Sequence, residues 1–243
     1  MSASKIIKVN ATRSTNDKVK VLIKSKKILS GDLIVAKYQY GGRGQLKNKW
    51  YSSYGKNLLC SLFYKPLDIN VNRTFGINQV VSLAVLKTIR KFNNEKCLIK
   101  WPNDILSVNK KIAGILVENS LSSNKVKHSI IGVGININQV FFKSLPNATS
   151  IKRISNKNID VGRVLDELID NYKYYFTRIN NTKYINDEYN QNIFGKEGCR
   201  FIMNGKEYSG KIISISNTGI IKLNTGSKEI GSYDSRKVKL LYD

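Results

Sequence analysis

The chain has 243 residues, 41% of them hydrophobic, which is enough for one large domain, or for one large and one small domain, around a buried core. A single histidine, His128, and three scattered cysteines argue against a His/Cys metal cage, a thiol redox motif, a histidine-dependent triad and a disulfide framework. The formal net charge of +24 points to a polyanionic partner, but only nine of the 41 basic residues are Arg and the lysines are spread along the chain, so a solvated lysine-rich surface is the favoured interpretation.

The hydrophobic pattern of the first 194 residues predicts strands and helices in alternation. A short apolar stretch at 6–9 precedes a helix that Ser14 or Thr15 caps and that Gly31 and Asp32 end. Apolar runs at 33–36 and 58–64 predict strands on either side of a loop rich in Gly, Lys and Asn, and helical spacing extends over 75–92. The remaining predicted elements are strands near 98–101, 112–118 and 129–137, a helix over 164–179 and a short helix over 184–194.

The pattern changes beyond Gly195. Short β-rich pieces at 200–203, 208–215, 219–223 and 238–241 are separated by Asn-Gly and Thr-Gly turns, which is typical of a small barrel. We therefore expect an α+β protein with a boundary near residue 195. Residues 1–194 would form a domain with a mixed β-sheet flanked by helices, and residues 195–243 a small C-terminal SH3-like β-barrel.

The loop at 41–50 reads Gly-Gly-Arg-Gly-Gln-Leu-Lys-Asn-Lys-Trp. Its glycines would let the backbone approach a ligand closely, and the planar guanidinium of Arg43 suits a phosphate. A basic, glycine-rich loop between strands is also typical of an ordinary turn. The loop matches neither a Walker loop nor a dinucleotide fingerprint.

Two further segments carry polar residues in unusual positions. Lys-Trp-Pro-Asn-Asp occupies 100–104, and Lys111 enters a predicted strand whose alternate residues Ala113, Ile115 and Val117 should share its face. A lysine on such a face is either a strand-end side chain that reaches water or a buried cation that meets an anion. Glycines at alternate positions of the strand at 129–137 would let a ligand lie against the backbone.

These motifs together resemble biotin protein ligase. The resemblance rests on Ser-Thr-Asn at 14–16, the Gly-Arg-Gly loop that ends in Lys49-Trp50, the string at 100–104, Lys-x-Ala-Gly-Ile-Leu-x-Glu at 111–118 and Gly-x-Gly-x-Asn at 132–136, in that order. Leu-Pro-Asn-Ala-Thr-Ser at 145–150 also looks like a later signature of the catalytic domain in that family. The resemblance covers residues 14 to about 240, including the small barrel.

The chain departs from the family pattern at two points. Many bacterial relatives carry a winged helix-turn-helix before the Ser-Thr-Asn element, whereas thirteen residues precede Ser14 here, so we expect a monofunctional type with no specific DNA binding. One branch of the family reads Gly-Arg-Gly-Arg in the loop, where this chain has Gln45 after Gly44. That difference concerns how tightly the reaction intermediate is held.

The resemblance implies a two-step reaction in which biotin and ATP give biotinyl-5′-AMP, and a lysine of a biotin carboxyl carrier domain then takes the biotin. The catalytic residues implied are Arg43, Lys111 and Asp104. The residues implied to bind biotin are Ser14, Thr15, Asn16, Gln39, Gly42, Arg43, Gly44, Lys111, Gly114, Ile115 and Leu116. Those implied to bind ATP or the adenylate are Arg43, Gly44, Trp50, Asn103, Lys111 and Asn136.

The expected cofactors are ATP and a Mg²⁺ ion carried by its phosphates, because the chain shows no dedicated metal cage. The sequence lacks an apolar signal core and a spanning segment, so we expect a cytoplasmic protein with no membrane contact. The expected partner is the carrier domain, and the oligomeric state, including a homodimer, stays open. Three alternatives also stay open: a related lipoate-type ligase, a basic nucleic-acid-binding protein and a non-catalytic binding module.

Overall fold

The structure, a computed structural model, describes residues 5–45, 48–143, 145–225 and 230–242. Over these residues the chain forms twelve strands and five α-helices. In chain order they are β1 (Ile6–Thr12), α1 (Thr15–Lys24), β2 (Leu33–Gln39), β3 (Asn57–Tyr64), α2 (Phe75–Phe92), β4 (Cys97–Lys100), β5 (Asp104–Ser107), β6 (Lys110–Ser122), β7 (Lys125–Asn136), α3 (Ile151–Ser155), α4 (Val161–Phe176), α5 (Thr182–Gln191), β8 (Cys199–Met203), β9 (Lys206–Ile215), β10 (Ile221–Asn224), β11 (Ile230–Tyr233) and β12 (Val238–Leu240).

The first seven strands form one mixed sheet in the order β1-β2-β3-β7-β6-β5-β4. Strands β1 and β2 run parallel, and the other neighbours are antiparallel. Helix α1 packs on one face through a small cluster that includes Val19, Ile34 and Ile130. The opposite face carries the main core, to which α2 and α4 contribute. The α+β class with a mixed sheet and flanking helices is therefore confirmed.

Helix α2 has the bounds that its spacing predicts, because twelve of its 18 residues are buried on a continuous apolar surface. Helix α1 is shorter than predicted. It ends at Lys24, and Lys26 has a φ of 55°, a left-handed conformation that a helix does not continue. Ile28 keeps the helical spacing and is buried, but it packs from the following loop. Within the described ranges no helix is long and apolar enough to cross a membrane.

Three short elements have no clear signal in the sequence. Strand β5 follows directly on the Trp-Pro-Asn turn and pairs with β4, Lys100 lying opposite Asp104. Helix α3 has five residues and begins at the cap Ser150, whose hydroxyl accepts a hydrogen bond from the Arg153 amide. Strand β11 has four residues, half of them exposed. Each of these elements is too short to show a period, and none has an apolar run between turn residues that is long enough to mark it.

The predicted barrel is a five-stranded antiparallel sheet in the order β11-β10-β9-β8-β12, here called the C-terminal sheet. Its buried residues, among them Phe201, Ile212 and Ile221, belong to the same apolar cluster as Ile77 of α2. The Trp101 indole also donates a hydrogen bond, 3.0 Å long, to the carbonyl of Gly219. The apolar core thus continues across residue 195, and the division into domains at that residue stays a prediction.

Gly219 provides a test of how tightly the C-terminal sheet docks. Its φ is +84°, and a Cβ atom there would lie 2.7 Å from the ring of Phe75. We expect Gly219→Ala to lower the free energy of unfolding by about 2 to 4 kcal/mol, because backbone strain and overpacking add. The measurement is thermal unfolding.

Gly205→Ala is the matched control for this substitution. Gly205 has a φ of +76°, but a Cβ there meets no atom within 4 Å. Gly205→Ala should therefore lower the free energy of unfolding only through backbone strain, by about 1 to 2 kcal/mol. Equal losses for the two variants would mean that Phe75 does not press on the Gly219 turn.

Candidate functional site

A cavity of about 1010 Å³ lies between the α1 face of the main sheet and the C-terminal sheet. One wall is built by the start of α1, the end of β2 and the loop after it, the β4–β5 turn and the middle of β6 and β7. The other wall comes from two segments of the C-terminal sheet, 202–205 and 235–240. Sequence reasoning did not place these two segments in the site.

Ser14, Thr15 and Asn16 lie at the start of α1 and are almost fully buried. Ser14 occupies the cap position, yet its hydroxyl makes no bond to the helix and it lines the cavity. The Thr15 amide donates to Gln39 Oε1 over 2.7 Å, and the Thr15 hydroxyl lies 3.0 Å from the same oxygen. These contacts set polar groups from α1 and β2 side by side at one end of the cavity.

The loop at 41–50 is hydrogen-bonded through its described residues. The Gly44 amide donates to the carbonyl of Asn48 and the Trp50 amide to that of Gly42. Gly42 is buried, and a Cβ there would lie 2.5 Å from the carbonyl oxygen of Trp50. Gly42 therefore shapes the loop and is not among the residues that line the cavity, whereas Arg43, Gly44 and Gln45 line it.

The indole of Trp50 lies directly against two glycines of the sheet. A Cβ at Gly134 would be 2.5 Å from its ring, and one at Gly114 would be 3.0 Å away. The Lys111 ammonium is 5.7 Å from the ring centre, within the range of a cation–π contact. The indole Nε1–H is buried without a hydrogen-bond partner in the described part of the chain.

Lys111, Asp104 and Lys100 form a charged cluster that lines another part of the cavity. The Lys111 ammonium is 2.7 Å from one oxygen of Asp104, and that of Lys100 is 3.8 Å from the other. The side chains of Lys100 and Asp104 are only 12% and 11% exposed. Burial lowers the pKa of Lys100, and the charge of Asp104 opposes that shift only in part. Two cations, Lys100 at 12% and Lys111 at 29% side-chain exposure, thus share one carboxylate.

The face predicted for Lys111 is wrong. A bulge in β6 places Leu106 of β5 opposite Lys111 and its neighbour Ile105 opposite Ala113. One step along β5 therefore matches two steps along β6, and the alternation of side chains between the two faces of β6 shifts by one residue between Lys111 and Ala113. The Lys111 side chain lies over Gly114 on the cavity face, whereas Ala113 and Ile115 belong to the core cluster. The bulge turns a lysine that simple alternation would bury in the core into a cavity side chain.

The segment 147–149 fixes the backbone of Lys111. The Lys111 amide donates to the carbonyl of Asn147, and the Thr149 amide donates to the carbonyl of Lys111. Asn136, which the motif placed near phosphate or ribose, is not among the residues that line the cavity. Its side-chain amide donates to the carbonyl of Thr149 over 3.0 Å. Asn136 therefore braces the segment that holds Lys111.

The other predicted residues line the cavity: Ser14, Thr15, Asn16, Gln39, Arg43, Gly44, Trp50, Asn103, Asp104, Lys111, Gly114, Ile115 and Leu116. The Asn103 amide donates to the carbonyl of Ile115 over 2.9 Å. Sequence reasoning did not identify Ser61, Lys100 or Glu118 as part of the arrangement. Glu118 had a usable signal, because it continues the alternation of Gly114 and Leu116 on β6.

Carboxylates on two other elements hold Arg43. Its guanidinium lies 2.7 Å from Asp17 on α1 and 3.2 Å from Glu118 on β6. Burial raises the pKa of Glu118, but hydrogen bonds from Lys20 and Asn16 and the charge of Arg43 lower it more. Glu118 is thus a carboxylate held in its charged form.

No group of three or more His, Cys, Asp or Glu side chains among the described residues could hold a metal ion. The three cysteines are free, two of them buried. Burial raises the pKa of Cys60 to about 12 and that of Cys199 to about 11. The ionisable chemistry in the cavity is therefore that of lysine, arginine and carboxylate.

The sequence model of the Biotin/lipoate A/B protein ligase family matches residues 9–136, more than half of the chain. The chain belongs to this family. The matched segment contains α1, the loop at 41–50, the Lys111–Asp104 pair and the glycines of β7, so the family sequence and the cavity coincide. The family predicted from the motifs is confirmed.

Individual relatives agree with this assignment. The chain is 34% identical over 215 residues to the bifunctional ligase/repressor BirA of Bacillus spizizenii, a match that covers 84% of this chain and 65% of that protein. It is 27% identical over 164 residues to the biotin–[acetyl-CoA-carboxylase] ligase of Mycobacterium tuberculosis, covering 66% and 60% of the two chains. The chain thus spans less than two thirds of the length of these relatives.

The fold is similar to that of the biotin protein ligase from Aquifex aeolicus solved in complex with biotin and ATP. The TM-score is 0.81 at 24% sequence identity, and the comparison covers 99% of this chain and 100% of the other. The likeness includes the C-terminal sheet. At this identity it concerns the fold alone.

Gly134→Ala tests the close contact between Trp50 and the sheet. A methyl group there would occupy the place of the indole, so we expect Trp50 to move towards water and its fluorescence to shift to longer wavelength. The chain has two tryptophans, and the second, Trp101, is 2% exposed. The same substitution in a Trp50→Phe background is the control and should leave the emission unchanged. An unshifted spectrum in Gly134→Ala itself would place the indole elsewhere.

Proposed function

We propose that the protein is an ATP-dependent ligase that makes biotinyl-5′-AMP from biotin and ATP and then transfers biotin to a lysine of a biotin carboxyl carrier domain. The observation that carries the proposal is the convergence in one cavity of the Thr15–Gln39 hydrogen-bonding pair, Arg43, and the Lys111–Asp104 pair. Family membership and the names of the relatives support the same activity.

Biotin requires apolar walls and a few aimed polar groups, since it has an apolar ring system, a ureido group and a carboxylate tail. We assign the ureido contacts to Ser14, Thr15 and Gln39, which lie together at one end of the cavity. Gly114, Ile115 and Leu116 form the adjoining wall. Asn16 has a supporting role, because its amide is already bonded to Glu118 and to the Ser61 hydroxyl.

In the first step a carboxylate oxygen of biotin forms a bond to the α-phosphorus of ATP, and the bond to pyrophosphate breaks. The two reacting groups are both anionic, so cations must offset their repulsion. Lys111 and Arg43 both line the cavity and provide opposite charge from β6 and from the loop. Trp50 would stack near the adenine or cover the intermediate, and Asn103 and Gly44 would contact phosphate or ribose.

In the second step the amine of the carrier lysine attacks the acyl carbon, AMP leaves, and the amine loses a proton. We assign the orientation of that amine to Asp104, the carboxylate that lines the cavity in the described part of the chain. Lys111 and Lys100 both face this carboxylate, and their positive charges would repel a Mg²⁺ ion there, whereas the attacking amine is neutral. We propose that the Mg²⁺ ion enters bound to the ATP phosphates. We also propose that the protein acts in the cytoplasm, where its free cysteines stay reduced.

The decisive experiment combines the protein with biotin, ATP, Mg²⁺ and a carrier domain, and detects covalent biotin on the carrier by mass spectrometry. A parallel reaction with lipoate and its carrier domain tests the alternative within the family. Carrier that gains biotin but no lipoyl group supports the proposal. Lipoylation without biotinylation would replace it with the lipoate-type ligase.

We expect Lys111→Ala to reduce biotin-dependent ATP–pyrophosphate exchange by about 10² to 10³, because a pre-aimed donor at the developing charge contributes that much. The exchange assay reports adenylate formation alone. Lys110→Ala is the matched control, since Lys110 is exposed and lies next in sequence outside the cavity. Exchange at the parent rate in Lys111→Ala would make Lys111 a strand-end lysine with no part in the reaction.

Gln45 lines the cavity at the position where one branch of the family has Arg. A charge-assisted hydrogen bond is worth about 1.5 to 3 kcal/mol. We therefore expect Gln45→Arg to release pre-formed biotinyl-5′-AMP at least about tenfold more slowly than the parent protein. Gln45→Met is the control, because methionine is similar in length and uncharged. Slower release in Gln45→Arg but not in Gln45→Met would be due to the added charge.

Equal release from the parent and from Gln45→Arg would mean that a neighbouring lysine already compensates. Lys49 lines the cavity, and Lys47 lies outside the described residues. Faster release from the Arg variant would mean that Gln45 itself bonds the intermediate.

A further inference from the structure

Glu118 contacts three side chains, two on α1 and one on the loop at 41–50. It accepts hydrogen bonds from Lys20 over 2.7 Å, from Asn16 over 2.8 Å, and from both terminal nitrogens of Arg43 over 3.2 to 3.3 Å. Its side chain is 25% exposed. An exposed ion pair holds geometry weakly, but a partly buried carboxylate that engages a guanidinium with both oxygens imposes a defined orientation.

The contact leaves part of Arg43 available to a ligand. A guanidinium has five N–H groups. Asp17 takes one from Nη2, and Glu118 takes the second from Nη2 and one from Nη1. The Nε–H is buried without a partner in the described part of the chain, and the one hydrogen bond described for Nη1 uses only one of its two hydrogens. The carboxylates therefore hold the Arg43 side chain without using all of its donors.

Glu118 also links Arg43 to the polar set at the start of α1. Asn16 donates to Glu118 and accepts from the Ser61 hydroxyl over 2.6 Å. Ser61 is fully buried in β3, and its hydroxyl lies 2.6 Å from that of Thr15. Because the single Ser61 hydrogen must go to the amide oxygen of Asn16, the Thr15 hydroxyl donates to Ser61, and the Thr15 backbone amide makes the bond to Gln39. Bonds therefore run without a gap from Arg43 to Gln39.

We propose that Glu118 is a positioning residue that acts through Arg43 and holds its guanidinium at the place in the cavity where the two anionic reactants meet. The inference rests on the proposed function. Glu118 does not contact the reactants. Without it the Arg43 side chain would be held by Asp17 alone, on a different element.

The alternative is that Glu118 competes with the substrate for Arg43. Replacing it with a neutral isostere would then free the cation and speed the reaction. Glu118→Gln separates the two cases, because it retains the shape and one acceptor and removes the charge. If Glu118 positions Arg43, the rate of ATP–pyrophosphate exchange at saturating ATP and biotin falls about tenfold or more, since misplacing a reactive group by 1 Å can cost 10² in rate.

A double substitution tests whether the effect passes through Arg43. In an Arg43→Ala background, Glu118→Gln should change exchange by no more than about twofold, the limit of additivity error. Lys20→Ala is the control, because it removes another partner of Glu118 and leaves Arg43 in place; it should exchange at the parent rate. A faster Glu118→Gln enzyme, an unchanged one, or an equal further loss without Arg43 would overturn the proposal.

The position of Arg43 can also be measured without activity. Phenylglyoxal modifies accessible arginines, and peptide mapping reads the modification rate at Arg43 alone. Glu118→Gln should raise that rate several-fold and Lys20→Ala should not. An unchanged rate overturns the positioning role even in an active enzyme. A parent protein that shows no biotin-dependent exchange but has the expected change in Arg43 reactivity overturns only the proposed function.

Discussion

Strand β7 has glycine at two alternate positions on the cavity face, and two parts of the chain rest directly on its backbone there. A Cβ at Gly132 would lie 2.5 Å from Oδ1 of Asn16, and one at Gly134 the same distance from the Trp50 ring. Neither approach is compatible with a side chain on β7. Because α1 carries Asn16 and Asp17, and the loop carries Trp50 and Arg43, this close packing sets how far the cations and carboxylates of the cavity are from one another.

The charges around the two cationic groups of the cavity are balanced differently. Arg43, together with Lys20, faces two carboxylates that are not among the lining residues, Asp17 and Glu118. Lys100 and Lys111 share the single carboxylate of Asp104. The surroundings of Arg43 therefore have a geometry fixed by ion pairs and little net charge, whereas those of Lys111 have an excess cation and are partly buried. An anion gains more from the second arrangement, because a charge that is already paired attracts it less.

Sequence reasoning succeeded where one period extends over many residues and failed where a single residue breaks the period. The full length of α2 follows from its spacing, and the strands of the main sheet other than β5 follow from their apolar runs. The face of Lys111 could not be predicted, because the bulge shifts the alternation by one residue and leaves no mark in the residue types. The alternation on β6 could place Glu118 on the same face as Gly114 and Leu116, but its pairing with Arg43, 75 residues away in sequence, could not be predicted, because several other acids are also far from the loop in sequence.

The sequence pattern changes beyond residue 195, but the C-terminal sheet still contributes to the cavity formed with the main sheet. Segments 202–205 and 235–240 close the cavity, and the ring of Tyr242 lies 4.7 Å from the ammonium of Lys100. Burial against these groups lowers the pKa of Lys100, and the charge of Lys239 acts in the same direction. Because excluding water strengthens the remaining charge interactions, covering the cavity with the C-terminal sheet strengthens the attraction of the Asp104 carboxylate for Lys100 and Lys111. The C-terminal sheet therefore influences the electrostatics of a cavity whose proposed reactive side chains, Arg43, Asp104 and Lys111, belong to the other part of the chain.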